Sequence, residues 1–305
     1  IKFTHLAQIL SENFHNEWKN FDYSMNIYHH NNSNTIENLQ FVKNFIQKEV
    51  PFGIFEQITH SNCDNLSLIC SYFTNPKSSR EILHKIQRQR KIWWSKFSSN
   101  PGRYFISELI TDENHVQTVK IMSKFEFSDL VCETIEMIPG KMKAGSDDFL
   151  LKDSRSGKEI LPNIIQTHLD LKLATFHLLL DAVESSESET ILLHRKLAPY
   201  KCCVFSYSED EQLQQELRDL AQHITNLLRK SDLKILNYPR GHVCTEKNLQ
   251  KHFSHSDKFG IPFSLILNEE SLKNGFLKLR NRDTTISETI HISDLPIYLL
   301  KIINS

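Results

Sequence analysis

Glycine is scarce in this chain: eight in 305 residues, and none from Lys158 to Arg240. A glycine-rich phosphate cradle therefore has no place in that stretch. P-loop, GxSxG and HExxH patterns are missing, so the commonest signatures of nucleotide hydrolysis, serine hydrolysis and zinc proteolysis are absent. The cysteines (Cys63, Cys70, Cys132, Cys202, Cys203 and Cys244) show no CxxC spacing, and the Cys and His spacings suggest no zinc site. The adjacent pairs His29-His30 and Asp147-Asp148 diverge if they lie on strands, so they read as solvated residues and not as metal ligands. No catalytic residue, metal or cofactor is assigned. No apolar run approaches the roughly 20 residues needed to span a bilayer. The net charge is −1, which argues against wholesale coating of nucleic acid.

What is present is an ordinary globular composition with an uneven charge distribution. The length suits two domains, each with its own core. From Arg80 to Arg103 there are seven Lys/Arg against one acid, Glu81. From Tyr104 to Thr190 there are sixteen acids against eight bases. A basic face on a neutral protein fits contact with a polyanion or an acidic partner. The first residues, IKFTHLAQIL, read as an amphipathic helix and not as a signal peptide. The six cysteines read as free, mostly buried thiols of a reducing compartment, with Cys202 and Cys203 on opposite faces of one strand.

Periodicity gives the organisation. Residues 4–21 and 34–48 read as helices, with a strand between them over 21–29. Val50-Pro51-Phe52-Gly53 leads into a strand, and residues 66–73 form another. Ser78 to Phe97 is a long helix ended by Asn100-Pro101-Gly102. Strands follow over 116–121 and 130–138, then a polar loop over 141–158. Residues 164–183 are apolar throughout and end in a helix. This half is α+β with an antiparallel sheet. The Ser/Glu stretch 184–190 is the expected domain boundary, dividing 1–188 from 189–305. Beyond it, strands and helices alternate as in a mixed α/β sheet covered by helices. Leu277 and Leu279 alternate with Lys278 and Arg280, Ile290 and Ile292 restart the alternation, and Ser293-Asp294 offers a cap for a final helix.

Two segments are candidates for binding. On the helix 78–97, Lys85, Arg88 and Lys91 recur every third residue, and Arg90 and Lys96 add charge. Such a row can neutralise phosphates and release counterions. A solvated helix face would have the same composition. Trp93 and Trp94 could stack bases, although their neighbours Ile92 and Phe97 fit a core. Near the C-terminus, Gly275 suits a turn, Phe276, Leu277 and Leu279 a hydrophobic patch or core, and Arg280 and Arg282 flank a turn where they are either simply solvated or presented to a partner.

The last stretch, Gly275 to Ser305, resembles the end of the anticodon-binding domain of class IIa aminoacyl-tRNA synthetases, the glycyl enzyme above all. The Arg-x-Glu and Gly-x-Gly-x-Gly-x-Arg signals of synthetase catalysis are missing; the one comparable arginine, Arg103, precedes Tyr104-Phe105 with Glu108 out of step. A tRNA-reading module on a catalytically empty body resembles the accessory subunit family of mitochondrial DNA polymerase gamma. Val50-Pro51-Phe52-Gly53, the double-tryptophan helix with Lys91 and Lys96, Pro139-Gly140, Lys152-Asp153-Ser154-Arg155 and His194 to Lys201 are similar to that family, and Asn274-Gly275, Leu279-Arg280, Arg282-Asp283-Thr284-Thr285 and His291-Ile292-Ser293 resemble it most specifically. The resemblance implies a degenerate synthetase-like domain followed by an anticodon-binding-like domain. It implies a non-catalytic processivity factor of the mitochondrial matrix and its nucleoid, binding the polymerase catalytic subunit and primer-template DNA. Gly275, Phe276, Leu277, Leu279, Arg280 and Arg282 would meet the polymerase, and Lys85, Arg88, Arg90, Lys91 and Lys96 the DNA. Vertebrate members carry a helical insertion that builds a homodimer; the thirty or so residues between Lys19 and Glu49 are too few for it, so a one-to-one heterodimer is expected. A divergent tRNA synthetase and a free-standing tRNA-binding module are the alternatives.

Overall fold

The apolar stripe near the N-terminus forms α1 (His5–Lys19), which buries Leu10, Phe14 and Trp18. The computed structural model describes residues 3–21, 25–29, 35–46, 49–60, 65–142, 149–186, 189–237 and 243–305. His30, Cys63, Asp147 and Asp148 lie outside the described residues. Two units divide the chain, 15–177 and 2–14 with 178–305. Their divide falls ahead of the Ser/Glu stretch at which 1–188 and 189–305 were expected to part. Residues 2–14 join the C-terminal unit partly because the Asn13 side chain donates to the carbonyls of Leu197 and Ala198, at 3.0 and 3.1 Å.

The N-terminal unit is built on strands β1 (Ile27–His29), β2 (Glu49–Val50), β3 (Phe52–His60), β4 (Asn65–Thr74), β5 (Tyr104–Ile106), β6 (Ile110–Thr111), β7 (Gln117–Lys124), β8 (Asp129–Ile138), β9 (Leu151–Asp153), β10 (Glu159–Ile160) and β11 (Asn163–Asp170). Its helices are α2 (Thr35–Phe45), α3 (Ser79–Phe97) and the start of α4 (Leu171–Glu184). The main sheet runs β1-β3-β4-β11-β8-β7-β5, with β6 beside β7. All its pairings are antiparallel except β1 with β3. Leu39 and Val42 of α2 join Phe52, Ile54, Phe73 and Ile164 in one apolar cluster. The basic helix α3 packs on β5, β7, β8 and β11. Where a polar loop is expected over 141–158, Phe149 and Leu151 turn into the α2 cluster, and β9 pairs with β10 and β2 in a small second sheet.

The C-terminal unit contains β12 (Cys202–Tyr207), α5 (Gln214–Lys230), β13 (Ile235–Asn237), β14 (Val243–Cys244), α6 (Glu246–Lys258), β15 (Phe263–Leu267), α7 (Glu269–Asn274), β16 (Phe276–Asn281), β17 (Ser287–His291) and α8 (Leu295–Asn304). The sheet order is β13-β12-β15-β16-β17, with β14 beside β12. β12 is parallel to β13, β14 and β15; β16 and β17 continue antiparallel. Cys202 belongs to the core face covered by α5 and α8, Cys203 to the face bearing Phe253 of α6, so the pair does point in opposite directions. Burial pushes the Cys203 thiol up to about 12 and raises Cys202 as well. The short α7 escapes periodicity, since six residues make under two turns.

Arg90 and Glu133 are fully buried and face each other between α3 and β8. The guanidinium donates to both carboxylate oxygens at 2.9–3.0 Å. Trp94 Nε1 adds a third donor at 2.8 Å. Rings of Trp18, Phe21 and Trp93 stand 4.4–5.1 Å from the guanidinium carbon. A buried pair of this kind makes little net contribution against an apolar replacement, but losing one partner is costly. Glu133→Gln should therefore destabilise the chain by about 3–5 kcal/mol in urea unfolding. The double change Arg90→Met with Glu133→Leu should recover most of that loss, short of the about 1–3 kcal/mol of an orphaned Trp94 N–H.

His177 of α4 is 2% exposed, and Nδ1 finds no partner among the described residues. Burial pulls its pKa down to about 4, against a smaller upward pull from Asp170. The folded ring stays neutral while the unfolded ring takes up a proton below about 6.5. Its contribution is complete above that pH and declines towards pH 4. The decline should be at most about 1.4 kcal/mol per pH unit, and His177→Leu should flatten that part of the stability–pH curve.

Candidate functional site

The row expected on α3 is only partly a surface row. Leu83, Ile86, Arg90, Trp93, Trp94 and Phe97 are buried. Lys85, Arg88 and Lys96 are exposed, and Lys91 is half-buried. Arg90 is therefore corrected: its charge belongs to the core, held by Glu133, and presents nothing to DNA. Trp93 and Trp94 are core residues too; Trp94 stacks on Tyr104 at 5.8 Å and cannot receive a base. Arg103 also lies inside, its guanidinium 4.3 Å from the Phe125 ring centroid.

In the C-terminal unit, Gly275 ends α7 at φ 74, the left-handed region that favours glycine. An added Cβ would stand 2.6 Å from His291 Nε2. From there β16 alternates: Phe276 and Lys278 are exposed, Leu277 and Leu279 buried. The two leucines join Leu217, Ile224 and Leu299 in the core. They are corrected from partner contacts to core residues, because the pleat sends them towards α5 and α8.

The two arginines are corrected as well. Arg280 forms a bidentate pair with Asp257 of α6, both bonds 3.0 Å, and lies over Phe253 at 4.7 Å. Arg282 donates to the carbonyls of Ile191, Gly260 and Leu193 at 2.9–3.1 Å and to Asp283. They are 9% and 6% exposed; Arg280 binds α6 and Arg282 binds irregular segments of the same unit. Of the expected patch, Gly275 and Phe276 remain at the surface. The register sets Phe276 opposite His291 and Lys278 opposite Thr289. The Phe276 and His291 rings meet edge-on at 5.2 Å. His291 and Thr289 were missed by sequence reasoning, although their alternation about the buried Ile290 marks the same open face.

The family description "Anticodon binding domain" matches residues 201–302, the sheet and helices just described. The chain is 37% identical over 243 residues to "DNA polymerase subunit gamma-2, mitochondrial" of Drosophila melanogaster, across 78% of the chain and 67% of that protein. The chain belongs to the DNA polymerase subunit gamma-2 family. The Xenopus laevis protein of the same name is 28% identical over 254 residues, 76% of the chain and 52% of that protein. A glycine–tRNA ligase of Macrococcus caseolyticus is 24% identical over 289 residues, 86% of the chain and 60% of the ligase. The chain thus spans between about half and two thirds of the length of these curated relatives. The anticodon-binding match covers nearly all of the mixed α/β sheet and the helices of the C-terminal unit.

Gly275→Ala should test the turn between α7 and β16. The positive φ and the crowding at His291 together predict a loss of about 1–3 kcal/mol in chemical unfolding. His291→Ala in the same background should return only the crowding part.

Proposed function

We propose that the chain is a non-catalytic accessory subunit of the mitochondrial DNA polymerase, working in the matrix at the nucleoid. It binds the catalytic subunit and tightens the complex on primer-template DNA. The observation that carries this reading is the 37% identity to the Drosophila subunit over 78% of the chain. The surface features are compatible with it. Phe276, Lys278, Thr289 and His291 form an open sheet face beside Gly275 for a protein partner. Lys85, Arg88, Lys91 and Lys96 give α3 an electropositive outer side for the DNA backbone. The role needs no chemistry from this chain. Each added 1.4 kcal/mol or so of contact lowers the dissociation constant tenfold and lengthens each synthesis run if release slows in proportion. Among the described residues α2 is the one helix between α1 and β2, which fits a monomer in a one-to-one heterodimer better than a homodimer.

A second reading, a tRNA-binding module, draws on the anticodon-binding match over residues 201–302. It predicts preference for folded tRNA over primer-template DNA and no effect on a polymerase. Primer extension by the catalytic subunit, with and without this chain at rising salt, separates the two. Longer products and a one-to-one complex in light scattering are expected. Phe276→Ala should weaken the complex about tenfold. The triple change of Lys85, Arg88 and Lys91 to Ala should leave the complex intact and shallow the salt dependence of DNA binding by two to three units of slope, about one for each phosphate no longer neutralised. Unchanged product length with no complex would sink the accessory-subunit reading, and ATP–pyrophosphate exchange with an amino acid would replace it with a synthetase.

A further inference from the structure

A cleft of about 620 Å³ opens in the N-terminal unit beside the start of α3. Its walls come from the segment before β3, the first half of α3 and the turn after β9. Four cations line it: Lys77 ahead of α3, Lys85 and Arg88 on α3, and Arg155 in the turn. All four are exposed, and none forms an ion pair among the described residues. Arg88 spends Nε on the carbonyl of His84 at 3.1 Å, which leaves its terminal nitrogens available.

The two carboxylates of the cleft do not balance its four cations. Asp153 accepts from the N–H and Oγ of Ser156, at 3.0 and 2.6 Å, and so holds its own turn together. Glu81 is the other carboxylate. Gathering like charges does not help folding; Lys85 and Arg88, three residues apart on one helix, repel each other. An anion seated between them would convert that repulsion into charge-assisted hydrogen bonds. Ile82 and Pro51 supply an apolar wall next to the cations. The volume lies within the range of small-ligand sites, roughly 300–1,000 Å³, and is far too small for a duplex.

We infer that this cleft binds a nucleotide phosphate, with Lys77, Lys85, Arg88 and Arg155 on the phosphate oxygens and the apolar wall against the sugar or base. The chemistry is the same whether the phosphate belongs to a free mononucleotide or to a single strand. The inference shares Lys85 and Arg88 with the DNA contacts proposed for α3 but adds Lys77 and Arg155, which take no part in those contacts, so the test turns on these two.

The test is fluorescence anisotropy of the full chain with labelled, 5′-phosphorylated tetrathymidylate, competed by dTMP and by inorganic phosphate. The tetramer should bind. The double change Lys77→Ala with Arg155→Ala should weaken it at least tenfold and reduce the log–log salt slope by about 1.4, from about 0.7 for each single-strand phosphate contact. Glu81→Gln should tighten it. Both cations are exposed and unpaired, so the thermal midpoint should not move. Competition by dTMP identifies the free nucleotide as a source; competition by the strand alone identifies the strand. No binding, or equal binding by the double variant, would overturn the inference while leaving primer extension free to succeed or fail independently. Inorganic phosphate competing as well as dTMP would overturn the nucleotide assignment.

Discussion

The N-terminal unit depends on the way one long helix is fixed to its sheet. α3 contributes two adjacent tryptophans and an arginine to the buried side, and β8 contributes Glu133 from among apolar neighbours. An apolar helix face can slide along a sheet at modest cost, because dispersion and burial have little direction. The bidentate Arg90–Glu133 contact has direction, and Trp94 Nε1 shares the same carboxylate. Register and rotation of α3 are thereby set together. That rotation decides which of its cations face water: Lys85, Arg88 and Lys96 do, and Arg90 does not.

The same use of arginine recurs in the C-terminal unit. Arg280 clasps α6 to the sheet, and Arg282 gathers three backbone carbonyls from the segment before β12 and the turn after α6. Guanidinium suits this because its donors form a rigid fork and its charge stays on at every physiological pH. Segments without regular structure thus have their carbonyls satisfied by a side chain. In a unit with a family likeness to tRNA-reading domains, the most conspicuous cations serve the fold. The open face beside them is made of Phe276, Lys278, Thr289 and His291.

The architecture was largely legible in the sequence. The stripes of α1, α3 and α5 and the alternation in β16 reproduce the period of the element they form, because each has one buried side. The Cys202–Cys203 divergence followed from the pleat alone. Less legible was the direction of individual charges. A Lys/Arg run on a helix reads as a surface, yet Arg90 lies four residues after Ile86 and four before Trp94, on the apolar stripe itself. An isolated Glu133 among Val131, Cys132 and Ile135 was the matching signal on the strand. Arg280 shares a face with the exposed Lys278; only the placement of α6 over one end of β16 buries it, which is a tertiary fact that spacing does not carry. The cleft beside α3 brings Arg155 to Lys77, residues nearly eighty positions apart, and no local pattern announces that meeting.

The two neighbouring thiols of β12 also bear on durability under oxidants. Peroxides and disulfides react with thiolate, and a thiol raised to about 12 holds almost none at neutral pH. Facing opposite sides of the sheet, Cys202 and Cys203 have no geometry for bridging to each other. Five of the cysteines are buried in this reduced form. The C-terminal core is therefore poorly reactive at sulfur, and an oxidising episode that modifies accessible thiols elsewhere leaves its packing untouched.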